Sequence, residues 1–266
     1  MLVTDRFVLL NYPRTGSTFA REALRALHQR RTPAWRRALE RLSLARPALV
    51  ELELPIERTV TARREDRRSQ HGALSQIPPG HRGKPVVSIA RHPLDRAVSA
   101  YEHGFWRTRP LGDPQAIRDR FPSFPELSFD EYLEYGLAFE APDVLQGACP
   151  QADVGPHTLQ FLRFYSADPQ ATLAGLTDAR IDSGEVLRSL PPVRFLHTER
   201  LVEELIDLLH DVGFGPGQTA FLRELPRVNA AGSRRGRAWR EYFSPEQERA
   251  FRQRERLLFQ VFPEYA

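Results

Sequence analysis

Apolar residues fall in short clusters along the chain, and their spacing changes from one cluster to the next. Phe7-Val8-Leu9-Leu10 is continuous and lies between Asp5-Arg6 and Asn11-Tyr12-Pro13. Such a run predicts a short buried strand from Arg6 to Asn11, stopped by Tyr12-Pro13. Phe19, Ala23 and Leu27 then recur every four residues, which puts them on one face of a helix. A second helix is predicted near Trp35 to Leu42. Trp35, Ala38, Leu39 and Leu42 share one of its faces, and Arg36, Arg37 and Arg41 stand on the other. Glu51 to Ala62 alternates loosely and is a further strand candidate. Pro85 to Ala90 is the strongest buried-strand pattern, and Leu94, Ala97, Val98 and Tyr101 follow it at helical spacing. Val193 to His197 is another strand candidate. After it, Leu201, Leu205, Leu208, Leu209 and Val212 define a helix that stops at Gly213. Strand, loop and helix thus alternate repeatedly, which predicts an α/β fold with a central parallel sheet flanked by helices.

Residues 104–156 break this rhythm, being rich in Pro, Gly and aromatic side chains. One short helix is expected there, near Ser128 to Leu137, with Ser128 and Glu131 as a capping box. The stretch reads as an insertion over the sheet, so the whole chain, 1–266, reads as one domain. His157 to Tyr165 is again helical. Ser244-Pro245-Glu246-Gln247 combines a cap, a first-turn proline and a glutamine, and starts a last helix with Phe251, Leu257 and Leu258 inward.

Composition narrows the class. Of 266 residues, 41% are hydrophobic and 27% charged, which fits a soluble globular protein and excludes disordered, collagen-like and membrane-embedded chains. A single cysteine, Cys149, excludes an internal disulfide framework and a cysteine-based zinc cluster. It reads as inert. No apolar stretch approaches the ~18 residues of a membrane span. The first residues lack the basic-then-apolar pattern of a leader, so a cytoplasmic location is expected. The net charge is +4, and Lys84 is the one lysine among 38 basic residues. Arginine dominance matters because guanidinium groups grip oxyanions in a bidentate way.

Two segments carry candidate chemistry. Tyr12-Pro13-Arg14-Thr15-Gly16-Ser17-Thr18-Phe19 lies between a buried strand and a helix N-terminus. Free backbone N–H groups and the positive end of the helix dipole bind a tetrahedral oxyanion there. Arg14 adds charge, Ser17 and Thr18 add hydroxyl donors, and Gly16 allows close approach. The bland alternative is an ordinary strand–turn–helix connection. No lysine follows Gly16, so the segment is not a Walker A loop. The second segment is Arg91-His92-Pro93-Leu94-Asp95-Arg96-Ala97-Val98-Ser99. Arg91 stands where a strand ends, at the edge where α/β sheets bind ligands. Arg91 and Ser99 could hold a second phosphate. Alternatively, Arg91 pairs with Asp95 and Ser99 bonds its own helix backbone. His92 reads as structural. The arginine-rich stretches at 30–46 and 58–68 read as solvated faces, the other possibility being a track for a polyanion.

Together these segments resemble the sulfotransferases that use 3′-phosphoadenosine 5′-phosphosulfate (PAPS). Tyr12 to Phe19 resembles their 5′-phosphosulfate loop, and Arg91 to Ser99 with Tyr101 resembles their 3′-phosphate motif, in the same order. Gln70-His71-Gly72-Ala73-Leu74 resembles the segment carrying the catalytic histidine of the cytosolic branch. Arg234-Arg235-Gly236 with Trp239 resembles the loop that closes over the 3′-phosphate. Val228-Asn229 leading to Trp239-Arg240-Glu241-Tyr242 is similar to the carbohydrate sulfotransferases. Arg14 stands where the cytosolic branch has lysine, Phe19 where it often has tryptophan, and the Gly236 to Trp239 spacing is shorter. Residues 104–156 are unmatched.

The resemblance implies a P-loop-like fold and sulfuryl transfer from PAPS to an acceptor hydroxyl or amine. It implies His71 as general base, with Glu65 and Asp66 as rivals. Arg14, Thr15, Gly16, Ser17, Thr18 and Phe19 would hold the 5′ side of the donor. Arg91, Ser99, Arg234, Arg235 and Gly236 would hold its 3′-phosphate. The product would be 3′,5′-ADP, and the acceptor a small molecule or a glycan. Phe105, Trp106, Phe121 and Phe124 either line the acceptor pocket or belong to the core. No metal and no specific nucleic acid are implied. Two other functions compete: a P-loop-like kinase using Mg-ATP, and a non-catalytic polyanion binder.

Overall fold

Short runs of β-branched and aliphatic residues pair into one mixed five-stranded sheet. The computed structural model describes residues 1–42, 44, 45, 47–55, 68–226 and 238–266. The strands are β1 (Leu2–Thr4), β2 (Val8–Leu9), β3 (Leu49–Glu51), β4 (Val86–Ala90) and β5 (Arg194–His197), in the order β3-β1-β2-β4-β5. β2, β4 and β5 run parallel, with Val8 opposite Val86 and Ile89 opposite Leu196. β1 is antiparallel to both of its neighbours, Leu2 facing Leu9 and Val3 facing Val50. The expected parallel sheet is therefore parallel over three strands only. The reason is local. The Thr4 hydroxyl accepts the Phe7 N–H at 2.9 Å and closes a tight turn, so β1 folds straight back on β2. That turn also takes Arg6 out of the predicted strand. Of the strand candidate from Glu51 to Ala62, the described part holds the end of β3 and the pair Leu54–Pro55; residues 56–62 lie outside the described residues.

Side chains alternate between the two faces of the sheet. Leu2, Leu9, Val87 and Ile89 face α1 (Ser17–Arg31) and a helix at Leu201–Asp211, meeting Phe19, Ala23, Leu27, Leu205 and Leu209. Val3, Val8, Leu10 and Ala90 face the opposite way, toward Phe161, Tyr165, Leu257 and Leu258. In chain order the other main helices are α2 (Ala34–Arg41), α3 (Pro93–His103), α4 (Phe129–Tyr135), α5 (Pro156–Tyr165), α6 (Leu201–Asp211), α7 (Pro245–Arg254) and α8 (Arg256–Val261). Helices thus cover both faces, a general α/β architecture. The apolar face expected on α2 is not buried: Trp35 is 66% and Leu42 68% exposed.

The stretch 104–156 is more helical than expected. Besides α4 it holds helices at Phe105–Thr108, Pro114–Arg120 and Ala141–Leu145, and a π-helical turn at Gly136–Glu140. Its Trp106, Phe121, Tyr132 and Tyr135 pack with Leu94, Ala97 and Val98 of α3 and with Trp239, Phe243 and Phe251. The aromatic residues that made it resemble a loop are the core it shares with α3. Among the described residues no helix is long and apolar enough to cross a membrane.

Candidate functional site

β2, β4 and β5 end at one edge of the sheet, and the segments after them are tied together there. The Thr198 hydroxyl, just past β5, lies 2.7 Å from the Thr15 carbonyl and 2.8 Å from that of Ala90. This is the carboxyl end of the parallel strands, where open α/β sheets build their crevices.

The segment from Pro13 to Gly16 turns β2 into α1 by two left-handed residues, Arg14 at φ 68° and Gly16 at φ 89°. Glycine takes that conformation freely, whereas arginine is strained in it by about 1–2 kcal/mol. A Cβ at Gly16 would also meet Leu201 Cδ2 at 3.3 Å. Thr15 is fully buried, and its hydroxyl donates to the Tyr12 carbonyl at 2.9 Å. It shapes the loop from behind. α1 begins with no side-chain cap and no acidic residue in its first turn. Its first N–H groups and positive dipole end therefore suit an anion.

Arg91 follows β4 and faces this loop. Its Nη1 donates to the Arg14 carbonyl at 3.1 Å and to Ser99 Oγ at 2.9 Å, and its Nε pairs with Asp95. Arg14 Nη2 donates to the same Ser99 Oγ at 3.1 Å. Arg91 thus makes the expected pair with Asp95 and also reaches Ser99. Ser99, 6% exposed, receives two guanidinium groups rather than bonding its helix backbone. Two like charges meeting at one hydroxyl repel each other, and Asp95 offsets part of that.

His71 arrives from the side of β2. Leu54–Pro55 and Arg68–Ser69 form a short antiparallel ladder that leads into Gln70. Asn11, 1% exposed, donates through Nδ2 to the Gln70 carbonyl at 3.1 Å, and its own carbonyl lies 2.7 Å from His71 Nδ1. A carbonyl only accepts, so Nδ1 carries the proton and Nε2 is the basic nitrogen. Burial holds the ring below its ordinary 6.5, with the N-terminal amine and Arg21 pulling the same way against the Asn11 bond. The imidazole is neutral near pH 7.

These segments share one cavity of about 650 Å³, ordinary for a small-ligand site. Arg14, Gly16, Ser17, Thr18, Phe19, His71, Arg91 and Ser99 all line it, as do Phe105 and Trp106. No family model and no curated protein matches the chain.

The lining also includes residues that the sequence did not single out, among them Arg96, Tyr132, Glu140, His157 and Gln160, and the charged or titratable Glu102, His103, Arg109, Glu199 and Glu203. Arg96, 5% exposed on α3, donates from Nε to the Pro13 carbonyl at 3.1 Å and lies 4.3 Å over the Tyr12 ring. Its Nη1 is 2.6 Å from His157 Nδ1. A guanidinium only donates, so His157 Nδ1 accepts and Nε2 carries the proton. Burial, then Arg96, hold the His157 ring well below 6.5. His71 and His157 are therefore neutral histidines of opposite polarity, the basic nitrogen being Nε2 in one and Nδ1 in the other. Glu140 ends the π-helical turn. Burial pushes its carboxyl up to about 7, Asp143 adds to this, and Arg96 opposes it. One signal was present in the sequence. His157 and Gln160 are three residues apart in an otherwise apolar helix, so they share a face. Tyr132 and Glu140 lie in the unmatched stretch and had none.

Other expectations fall elsewhere. His92 stacks on Trp239, ring centroids 4.8 Å apart, in keeping with a structural part. Phe121 belongs to the core and Phe124 packs against it. Cys149 is exposed. Glu65, Asp66, Arg234, Arg235 and Gly236 lie outside the described residues.

Proposed function

We propose that the chain transfers a sulfuryl group from PAPS to an acceptor hydroxyl, on a fold of the P-loop-like sulfotransferase type. The carrying observation is the meeting of Arg14 and Arg91 at Ser99, beside the uncapped start of α1 and in one cavity with a neutral, oriented histidine. On this reading the first-turn amides of α1, Ser17 and Thr18 hold the 5′-phosphosulfate, and Arg91 with Ser99 holds the 3′-phosphate. The acceptor oxygen attacks sulfur in line while the bond from sulfur to the bridging phosphate oxygen breaks. His71 Nε2 takes the acceptor proton, and the bond's electron pair leaves with 3′,5′-ADP. Arg14 and the loop amides stabilise the charge that grows on the bridging oxygen. The kinase alternative lacks its lysine at this place, since Lys84 donates to the Thr4 carbonyl instead.

Thermal unfolding with 3′,5′-ADP, 5′-ADP, Mg-ATP and heparin tests the reading. A ligand at 100 times its dissociation constant adds about 2.7 kcal/mol. For a chain of this size that raises Tm by roughly 5–10 °C. The expected result is such a shift with 3′,5′-ADP and a clearly smaller one with 5′-ADP. A shift with Mg-ATP or heparin and none with 3′,5′-ADP overturns the proposal.

A further inference from the structure

Some polar groups that line the cavity beyond His71 have no hydrogen-bond partner among the described residues. Tyr132 is 4% and Gln160 8% exposed, and both face the cavity. Among the described residues, no hydrogen bond reaches the Tyr132 hydroxyl, the Gln160 amide or the Glu140 carboxylate. All three open onto the cavity, where a ligand can take the place of water as their partner. His157 adds a fourth, because its Nε2–H is the donor left after Nδ1 accepts from Arg96.

These groups belong together. His157 and Gln160 share one face of α5, and Tyr132 and Glu140 bracket the turn from α4 into the π-helical segment. All four line the same cavity as Arg14. We propose that Tyr132, Glu140, His157 and Gln160 form the acceptor subsite of the cavity, built for a neutral molecule with several hydroxyl groups, such as a saccharide.

The chemistry selects this class. Glu140 accepts, the His157 Nε2–H donates, and Tyr132 and Gln160 do both, which is the mixed pattern that neighbouring hydroxyls satisfy. A flat phenol or a steroid offers a single hydroxyl and would strand the other groups unpaired. A site built to bond polar groups rejects ligands that lack them by large factors. A cationic amine meets Arg96 and Arg14, and an anionic acceptor meets Glu140. The identification rests on the sulfuryl-transfer reading for its name, acceptor, but the binding it predicts does not require turnover.

Saturation-transfer NMR on the full chain, with and without 3′,5′-ADP, tests it. The probes are chitotriose, maltotriose and methyl β-galactoside, with 2-naphthol and tyramine for comparison. At least one saccharide is expected to bind, and naphthol and tyramine more weakly. E140Q and Y132F keep shape and size. At pH 8, where the Glu140 carboxyl is ionised, they are expected to weaken the saccharide about tenfold or more and about threefold or more respectively, as losses of a charged and a neutral hydrogen bond. The affinity for 3′,5′-ADP should stay within about twofold, since neither residue is assigned to the nucleotide. Binding of naphthol or tyramine with no saccharide bound, no saccharide binding at all, or saccharide binding indifferent to both substitutions overturns the subsite. If a saccharide binds through these residues and 3′,5′-ADP does not, the subsite stands and sulfuryl transfer falls.

Discussion

Arg14 is the residue at which strain and charge coincide. It is held at φ 68°, and its guanidinium shares Ser99 with that of Arg91. The backbone strain costs stability, which is the usual mark of a position kept for function. Arg14→Gly removes that strain. The variant is expected to be more stable by about 1 kcal/mol in urea unfolding, although the added glycine loosens the unfolded chain. It is also expected to bind 3′,5′-ADP at least about tenfold more weakly, which calorimetry would read. A stable variant with intact nucleotide affinity would remove Arg14 from the site. His71 makes a prediction in pH. Because burial lowers its pKa below 6.5, the basic form persists into mild acid. The acid limb of kcat/KM is therefore expected to have its midpoint below 6.5, and His71→Ala to lower kcat by about 100-fold or more. A limb with its midpoint above 6.5, or a fully active His71→Ala, would point to another base.

At the scale of elements, α5 shows how a helix can depend on a distant residue. Its cap position is Gly155, and no side chain nearby bonds its first turn. Glu255, 1% exposed at the join of α7 and α8, accepts the N–H groups of His157 at 3.1 Å and Thr158 at 2.6 Å. A Cβ on Gly155 would fall 2.1 Å from Glu255 Oε1, so only glycine leaves room for this carboxylate. Glu255→Ala strands two buried amides and is expected to cost about 2–4 kcal/mol. The contrast with the local caps explains what the sequence could disclose. Ser128 with Glu131 and Ser244 with Gln247 bond within one turn, as their spacing implied. Glu255 reaches across about 98 residues, and no periodicity records that. The loop at Arg14 and the strand at Val86–Ala90 were legible for the same reason, being local. Tyr132 and Glu140 reach the cavity through a π-helical turn whose signal is tertiary packing. The apolar face of α2 shows the converse: helical spacing foretold which residues would align, but not that Trp35 and Leu42 would stand exposed.

For the whole molecule, burial of Glu255 sets a pH response. Desolvation raises its carboxyl to about 7, against the two amide bonds and Arg96. The folded chain thus keeps a proton up to about 7, which the unfolded chain releases near 4.5. Stability linked to this group is present below 4.5 and is lost as pH rises through 7. The wild type should therefore exceed Glu255→Gln in stability by more at pH 5 than at pH 8, as urea unfolding at the two values would show. An equal difference at both would mean that the carboxyl is not shifted. Sheet and site share the same long reach. β5 pairs with β4 more than a hundred residues earlier, and the cavity needs α5, which needs Glu255. This has a consequence in time. During synthesis the loop at Arg14 emerges well before Glu255, and until that residue follows, the helix that carries His157 and Gln160 stays unanchored. A nascent chain therefore holds an unfinished pocket over that interval, and its readiness for ligand waits on a residue far downstream.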